Sequence, residues 1–145
     1  MAKTKFERYY SWIKNNVTME RSKKMIYFTE NQYVITNSFS LLFLNERPSG
    51  KYNNFTAIGQ FIDKINTDKT DKIDIENIKG EDRDKYIIFN KDYSFKYSYF
   101  NNMKTIIKPN KIEVGYWNST EPRPILYLEN TKTKEKGFLL PVKMY

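Results

Sequence analysis

The sequence predicts an α+β fold, an antiparallel sheet with two to three helices on one face, and three observations carry that reading. Segments with a strand pattern outnumber segments with a helical pattern, and the two kinds do not alternate as a parallel α/β fold requires. Aromatic residues make up 17% of the chain while Gly and Pro number five each, a composition that packs a core instead of remaining disordered. At 145 residues the chain is one ordinary domain, 1–145.

The elements follow in order. Phe6, Tyr9, Tyr10, Ile13 and Val17 recur at helical spacing opposite Glu7, Arg8, Ser11 and Asn15, so an amphipathic helix begins near Thr4. Met25–Thr29 and Tyr33–Thr36 are β-branched and aromatic, and Glu30-Asn31-Gln32 between them predicts an antiparallel hairpin. The run Phe39–Leu44 predicts a third strand. Phe55, Ile58, Phe61, Ile62 and Ile65 predict a second helix capped by Asn54 or Thr56, with Gly59 inside it as a cost of roughly 1 kcal/mol against Ala. Thr67–Lys85 is mostly charged and reads as a long loop carrying one short edge strand over Lys72–Ile78. Tyr86–Phe89 predicts a strand. Asn90 or Asp92 then caps a third helix bearing Tyr93, Tyr97, Phe100, Met103 and Ile107, which Pro109 ends. Three strands close the chain, Lys111–Trp117, Ile125–Glu129 and Gly137–Met144, for seven or eight strands in all.

Charge and composition bound the function. With 25 Lys and Arg against 17 Asp and Glu, the net charge is +8, which favours a polyanionic partner. An AT-rich coding sequence enriches Lys, Asn, Ile and Tyr in the same way, so charge alone does not name that partner. The chain has no Cys and no His, which removes thiol nucleophiles, disulfides, imidazole bases and the usual zinc ligands. No cofactor is expected. The longest apolar runs, such as Leu41–Leu44, are too short to span a bilayer and no secretory signal is evident, so a cytoplasmic protein without membrane contact is expected. Two carboxylate clusters, Asp71, Asp74 and Glu76 and then Glu81, Asp82 and Asp84, are available to hold Mg2+, but both are interleaved with Lys or Arg as in a solvated charge run. Trp12 and Trp117 read as core or core-edge residues before base-stacking platforms.

The terminal run Phe138-Leu139-Leu140-Pro141-Val142-Lys143-Met144-Tyr145 is apolar and broken by a proline that cannot donate to a ladder. Pro141 is expected to end the pairing and leave Val142 and Met144 at a surface pocket or an edge. Phe89-Asn90, Tyr93, the helix to Ile107, the strand Lys111–Trp117, Pro124 before a strand, and Leu140-Pro141-Val142-Lys143-Met144 follow one another in a distinctive order. In order and rough spacing the series resembles the last domain of the bacterial DNA sliding clamp, the ring subunit that tethers the replicative polymerase. That family ends on an apolar residue, Met or Leu, Pro, an apolar residue, Arg and Leu; here Lys143 stands at the Arg place and Tyr145 extends the end. A second block, Tyr33–Leu41, is similar to the family's strand-turn-strand pattern, with Asn37 at its Asp place and Ser40 at its Arg place. The resemblance leaves 47–85 as an insertion. Clamps carry several copies of this domain per chain and this sequence carries one, so either single domains assemble into a ring or the ring has been given up.

The resemblance implies a non-catalytic, clamp-like binding protein of DNA replication or of a mobile element, in keeping with a phage origin. It implies non-specific contact with duplex DNA phosphates through Lys5, Arg8 and Lys14 on the first helix and Lys96, Lys104 and Lys108 around the third. The alternative for these cations is a solvated face, with Lys96 and Lys104 snorkelling over the core. It further implies a pocket for partner proteins at Thr36, Ser38, Phe39, Leu41, Pro141, Val142 and Met144, and a homo-oligomer joined through sheet edges. A reading of a different class is a phage-encoded inhibitor or adaptor that occupies a nucleic-acid-processing enzyme or a defence complex of the host.

Overall fold

The computed structural model describes residues 4–13, 26–29, 31–36, 40–46, 57–81, 85–118 and 122–143. Helix α1 spans Lys5–Ile13, and strands β1 (Ile26–Phe28), β2 (Tyr33–Thr36) and β3 (Ser40–Leu44) follow. Next come α2 (Ala57–Ile62), β4 (Ile65–Asp71), β5 (Ile78–Lys79), β6 (Tyr86–Ile88) and β7 (Tyr93–Lys96). The chain continues through α3 (Tyr97–Ile107), β8 (Lys111–Trp117), β9 (Pro124–Glu129), β10 (Lys136–Leu139) and β11 (Val142–Lys143). The α+β class is as the sequence predicts, with antiparallel pairing throughout, but the strands divide between two sheets. One has seven strands in the order β1-β2-β3-β10-β9-β8-β4, the other four in the order β11-β7-β6-β5.

Two runs of three antiparallel strands, β1-β2-β3 and β8-β9-β10, the second directly preceded by α3, meet at the centre where their last strands pair, and β4 adds to the outer edge of β8. Helices α1 and α3 pack against each other. Residues of β3 alternate between the faces: Leu42 and Leu44 join Tyr9, Phe100, Met103, Leu126, Leu128 and Leu139 beneath α1 and α3, together with Ile87 and Phe95 of the small sheet. Leu41 and Phe43 join Val34, Ile125, Tyr127 and Phe138 on the opposite face, where Phe61 and Ile62 of α2 cover them. Two of the three described helices thus share one face, and α2 lies on the other. All five residues of β3 are buried, each large apolar side chain contributing about 1.5–3 kcal/mol.

Four expectations need correction. Tyr93–Lys96 is strand β7, because Asn90 Oδ1 accepts the backbone N–H groups of Asp92 and Tyr93, both at 2.9 Å, and so closes a turn instead of capping a helix. Helix α3 starts only at Tyr97, without a side-chain cap, and ends at Lys108 in the left-handed conformation (φ 49°) ahead of Pro109. Residues 65–71 form a full strand on the edge of the large sheet, so α2 stops at Ile62, and the edge strand expected over Lys72–Ile78 is reduced to β5 at Ile78–Lys79 in the small sheet. The terminal run is two strands, not one: β10 ends at Leu139, and beyond Leu140 and Pro141 the chain crosses to the small sheet, where Val142 pairs with Ser94 and Lys143 with Tyr93. Pro141 therefore marks a change of sheet. Val17, Asn54 to Thr56 and Met144 lie outside the described residues, as do 47–56 of the segment read as an insertion.

Two buried contacts fix α1 and α3 on the sheet. Gly137 faces α3, and a Cβ there would overlap the Met103 methyl and lie 3.2 Å from Leu42 Cδ1. Tyr9, fully buried, shares a 2.5 Å hydrogen bond between its hydroxyl and Ser40 Oγ. Gly137→Ala should cost about 1–3 kcal/mol through overpacking, read as a lower melting temperature, and shortening Met103 to Val in the same chain should recover part of it. Burial raises the Tyr9 phenol well above its ordinary value of 10.0, opposed in part by the Ser40 bond. The unfolded chain loses that proton near pH 10 while the folded chain keeps it, so stability should be full below pH 10 and fall above it, by up to about 1.4 kcal/mol per pH unit for this group. Denaturant titrations between pH 9 and 11 should give a shallower decline for Tyr9→Phe than for the natural chain; equal slopes would remove Tyr9 as a cause.

Candidate nucleic-acid interface

Helix α3 carries no acidic residue, and none occurs anywhere from Tyr93 to Ile112, a stretch that holds Lys96, Lys104, Lys108 and Lys111. Its apolar stripe, Phe100, Met103, Ile106 and Ile107, is buried. The exposed positions are Ser98, Asn101, Lys104 and Thr105, with Lys108 just beyond the helix. Such a surface offers hydrogen-bond donors and positive charge with no carboxylate on the helix to repel a phosphate. Lys96 Nζ lies 5.2 Å from the Tyr99 ring centroid and Lys104 Nζ 6.0 Å from that of Phe100. Each ammonium thus stands over an aromatic ring, a cation–π arrangement.

On α1 the cations differ from one another. Thr4 Oγ1 accepts the Glu7 N–H at 3.2 Å, which starts the helix. Lys5 Nζ donates to Glu135 Oε1 at 2.6 Å, and that carboxylate is 1% exposed, so Lys5 neutralises a buried acid and is not part of a solvated face. Glu135 Oε2 also accepts the Asn45 N–H at 3.1 Å, and the Lys5 N–H donates to Glu46 Oε2 at 2.9 Å. Arg8 is half-buried on the same helix as Lys5. Lys14 lies outside the described residues.

The residues assigned to a protein pocket are dispersed in burial. Leu41 belongs to the core beneath α2, and Thr36 Oγ1 donates to the Ser40 carbonyl at 2.5 Å at the β2–β3 connection. Leu140 packs against the same core, Pro141 is half-buried, and Val142 is 38% exposed, the exposed large apolar side chain among the described residues. Ser38, Phe39 and Met144 lie outside the described residues.

The carboxylates have other tasks. Asp74 Oδ1 accepts the Glu76 N–H at 3.0 Å within a turn, and Asp71 accepts the Tyr116 hydroxyl. Burial and that bond push the Tyr116 phenol up to about 12. Among the described residues no group of three or more acidic side chains is arranged to hold a metal ion; Asp82 and Asp84 lie outside them. Trp117 packs on Phe61 with centroids 4.4 Å apart, a core-edge role, and the Trp12 side chain is outside the described part. No described helix is long and apolar enough to cross a membrane.

Sequence reasoning passed over Asn130, which organises the turn between β9 and β10. Its Nδ2 donates to the carbonyls of Ile107 at 3.0 Å and Lys108 at 3.1 Å, and its Oδ1 accepts the N–H groups of Lys132 and Thr133. The only signal in the sequence is an Asn at the head of a charged turn. The chain matches no protein-family model, no curated protein and no solved structure.

Lys5→Met should destabilise the protein by about 1–3 kcal/mol, less than a fully enclosed pair because the Lys5 side chain is 33% exposed. Adding Glu135→Gln, which keeps an acceptor for the Asn45 N–H, should recover at least half of the loss in chemical denaturation. A double variant as unstable as Lys5→Met alone would show that the ion pair is not the cause.

Proposed function

We propose that the protein is a non-catalytic, sliding-clamp-like binding protein that contacts duplex DNA through the exposed surface of α3. The observation that carries this reading is the acid-free stretch Tyr93–Ile112, whose helix exposes Ser98, Asn101, Lys104 and Thr105, followed by exposed Lys108, on a chain of net charge +8. Contacts of this kind neutralise phosphates without reading base sequence. A role in DNA replication or in a mobile element, and assembly of single domains into a homo-oligomer through sheet edges, belong to the same proposal.

The inhibitor or adaptor reading uses the same positive surface against an acidic protein, with Val142 as an apolar contact. DNA association separates the two. Fluorescence anisotropy with a mixed-sequence duplex should show weak binding that does not depend on sequence and that falls steeply with salt. Lys96→Gln with Lys104→Gln should lower the slope of log K against log salt while costing no more than about 1–2 kcal/mol of stability, the worth of the two ring contacts removed. Absence of binding at low salt would end the DNA reading and favour the protein partner. Solution mass with and without duplex distinguishes a ring, a dimer and a monomer.

A further inference from the structure

The six residues Asn130–Glu135 joining β9 to β10 are anchored by side chains from four other segments. Asn110 Oδ1 accepts the Thr131 N–H at 2.9 Å and its Nδ2 donates to Thr131 Oγ1 at 2.8 Å. Asn45 Nδ2 donates to the Thr133 carbonyl at 2.7 Å, Gln32 Nε2 to the Lys134 carbonyl at 2.9 Å, and Lys5 Nζ to the Glu135 carboxylate. Within the turn, Asn130 N–H donates to the Glu135 carbonyl at 2.9 Å and the Asn130 carbonyl accepts the Lys134 N–H at 2.8 Å. Since Asn130 also binds the Lys108 carbonyl and the Lys132 N–H, the backbones of three lysines stand one hydrogen bond from a single residue.

All three lysines are exposed, and none forms an ion pair among the described residues. Lys108 and Lys134 hold positive φ values of 49° and 69°, where Gly or Asn is the ordinary choice. Lys108 complements the C-terminal dipole of α3, but the Lys132 and Lys134 side chains make no hydrogen bond among the described residues that would account for them. The neighbouring carboxylates are engaged: Glu129 accepts the Tyr127 hydroxyl at 2.8 Å, and Glu135 is buried against Lys5.

We infer that this turn is a second phosphate-contacting element, in which Lys132 and Lys134, continuing from Lys108 at the end of α3, bind the backbone of duplex DNA. The inference rests on the DNA reading of α3 and extends it beyond the helix. Exposed lysines on a turn do not enclose a small anion, whereas a basic strip that leaves a helix end and runs onto a turn pinned by hydrogen bonds suits an extended polyanion. Pinning of the turn lowers the ordering cost of each phosphate interaction.

The test is anisotropy of a labelled mixed-sequence duplex with the full chain, from about 50 to about 200 mM salt. It compares the natural chain, Lys132→Gln/Lys134→Gln, and Lys96→Gln/Lys104→Gln, with circular dichroism to confirm folding. The turn variant should bind more weakly and its slope of log K against log salt should be shallower by about 1.8, at roughly 0.9 for each phosphate no longer neutralised. A turn variant with the natural slope and affinity overturns the inference while the helix reading stands. No binding by the natural chain at about 50 mM salt overturns both.

Discussion

Pairing of β3 with β10 is the constraint on which the rest of the structure depends. It joins Ser40–Leu44 to residues almost a hundred positions later, through Leu41↔Phe138 and Leu42↔Gly137, and each strand is buried between two layers. Contacts so far apart in sequence carry a large loop-closure cost, so the seam must be rewarded by burial on both faces at once. The chain meets that requirement with Leu42, Leu44 and Leu139 on one face and Leu41, Phe43 and Phe138 on the other. The seam is also reinforced around its length. Tyr9 reaches Ser40 beside Leu139, while Glu135, just before β10, collects Lys5 and the Asn45 N–H just after β3. Past the other end, Leu140 and Pro141 send the chain into the second sheet.

Glycine at 137 follows from the same geometry. Leu42 sits opposite it in register and Met103 presses down from α3, so the helix lies against the sheet only because that position has no side chain. A comparable close approach occurs at Gly115, where a Cβ would stand 2.8 Å from the Asn66 carbonyl oxygen, next to the register shift between Asn66 and Asp71. One glycine lets a helix seat and the other lets an irregular edge strand pair.

Elements whose burial follows a single period are legible in the sequence. The β1–β2 hairpin, β3, β8 and β9 alternate or run apolar between turn residues, and α1 shows one clean helical stripe. Strand β7 reads as helix because Tyr93, Tyr97 and Phe100 satisfy helical spacing while Tyr93 and Phe95 also satisfy alternation, and the choice is made by the Asn90 turn. Strand β4 offers little apolar signal, with Ile65 followed by Thr67 and Thr70, and its pairing comes from β8, assisted by the Thr70 hydroxyl donating to Glu113 Oε2 at 2.5 Å. At the site, residue types are readable but partners are not. The sequence shows Lys5 and Glu135 as two charges 130 positions apart, and nothing local marks Glu135 as buried.

This distribution of partners governs how the surplus of positive charge is used. Four acidic residues are drawn into the fold's own bonds: Glu135 to Lys5, Glu129 to Tyr127, Glu113 to Thr70, and Asp71 to Tyr116. Several lysines instead lie over rings, Lys136 at 4.9 Å from the Phe43 centroid, Lys96 over Tyr99 and Lys111 at 5.8 Å from Tyr127. An interaction of this kind is worth about 0.5–1 kcal/mol at an exposed site, and it also restricts a long side chain that otherwise loses its freedom on binding. Ring contact and phosphate binding are therefore compatible roles for one lysine: the ammonium over a ring keeps its charge and its remaining N–H donors for an anion.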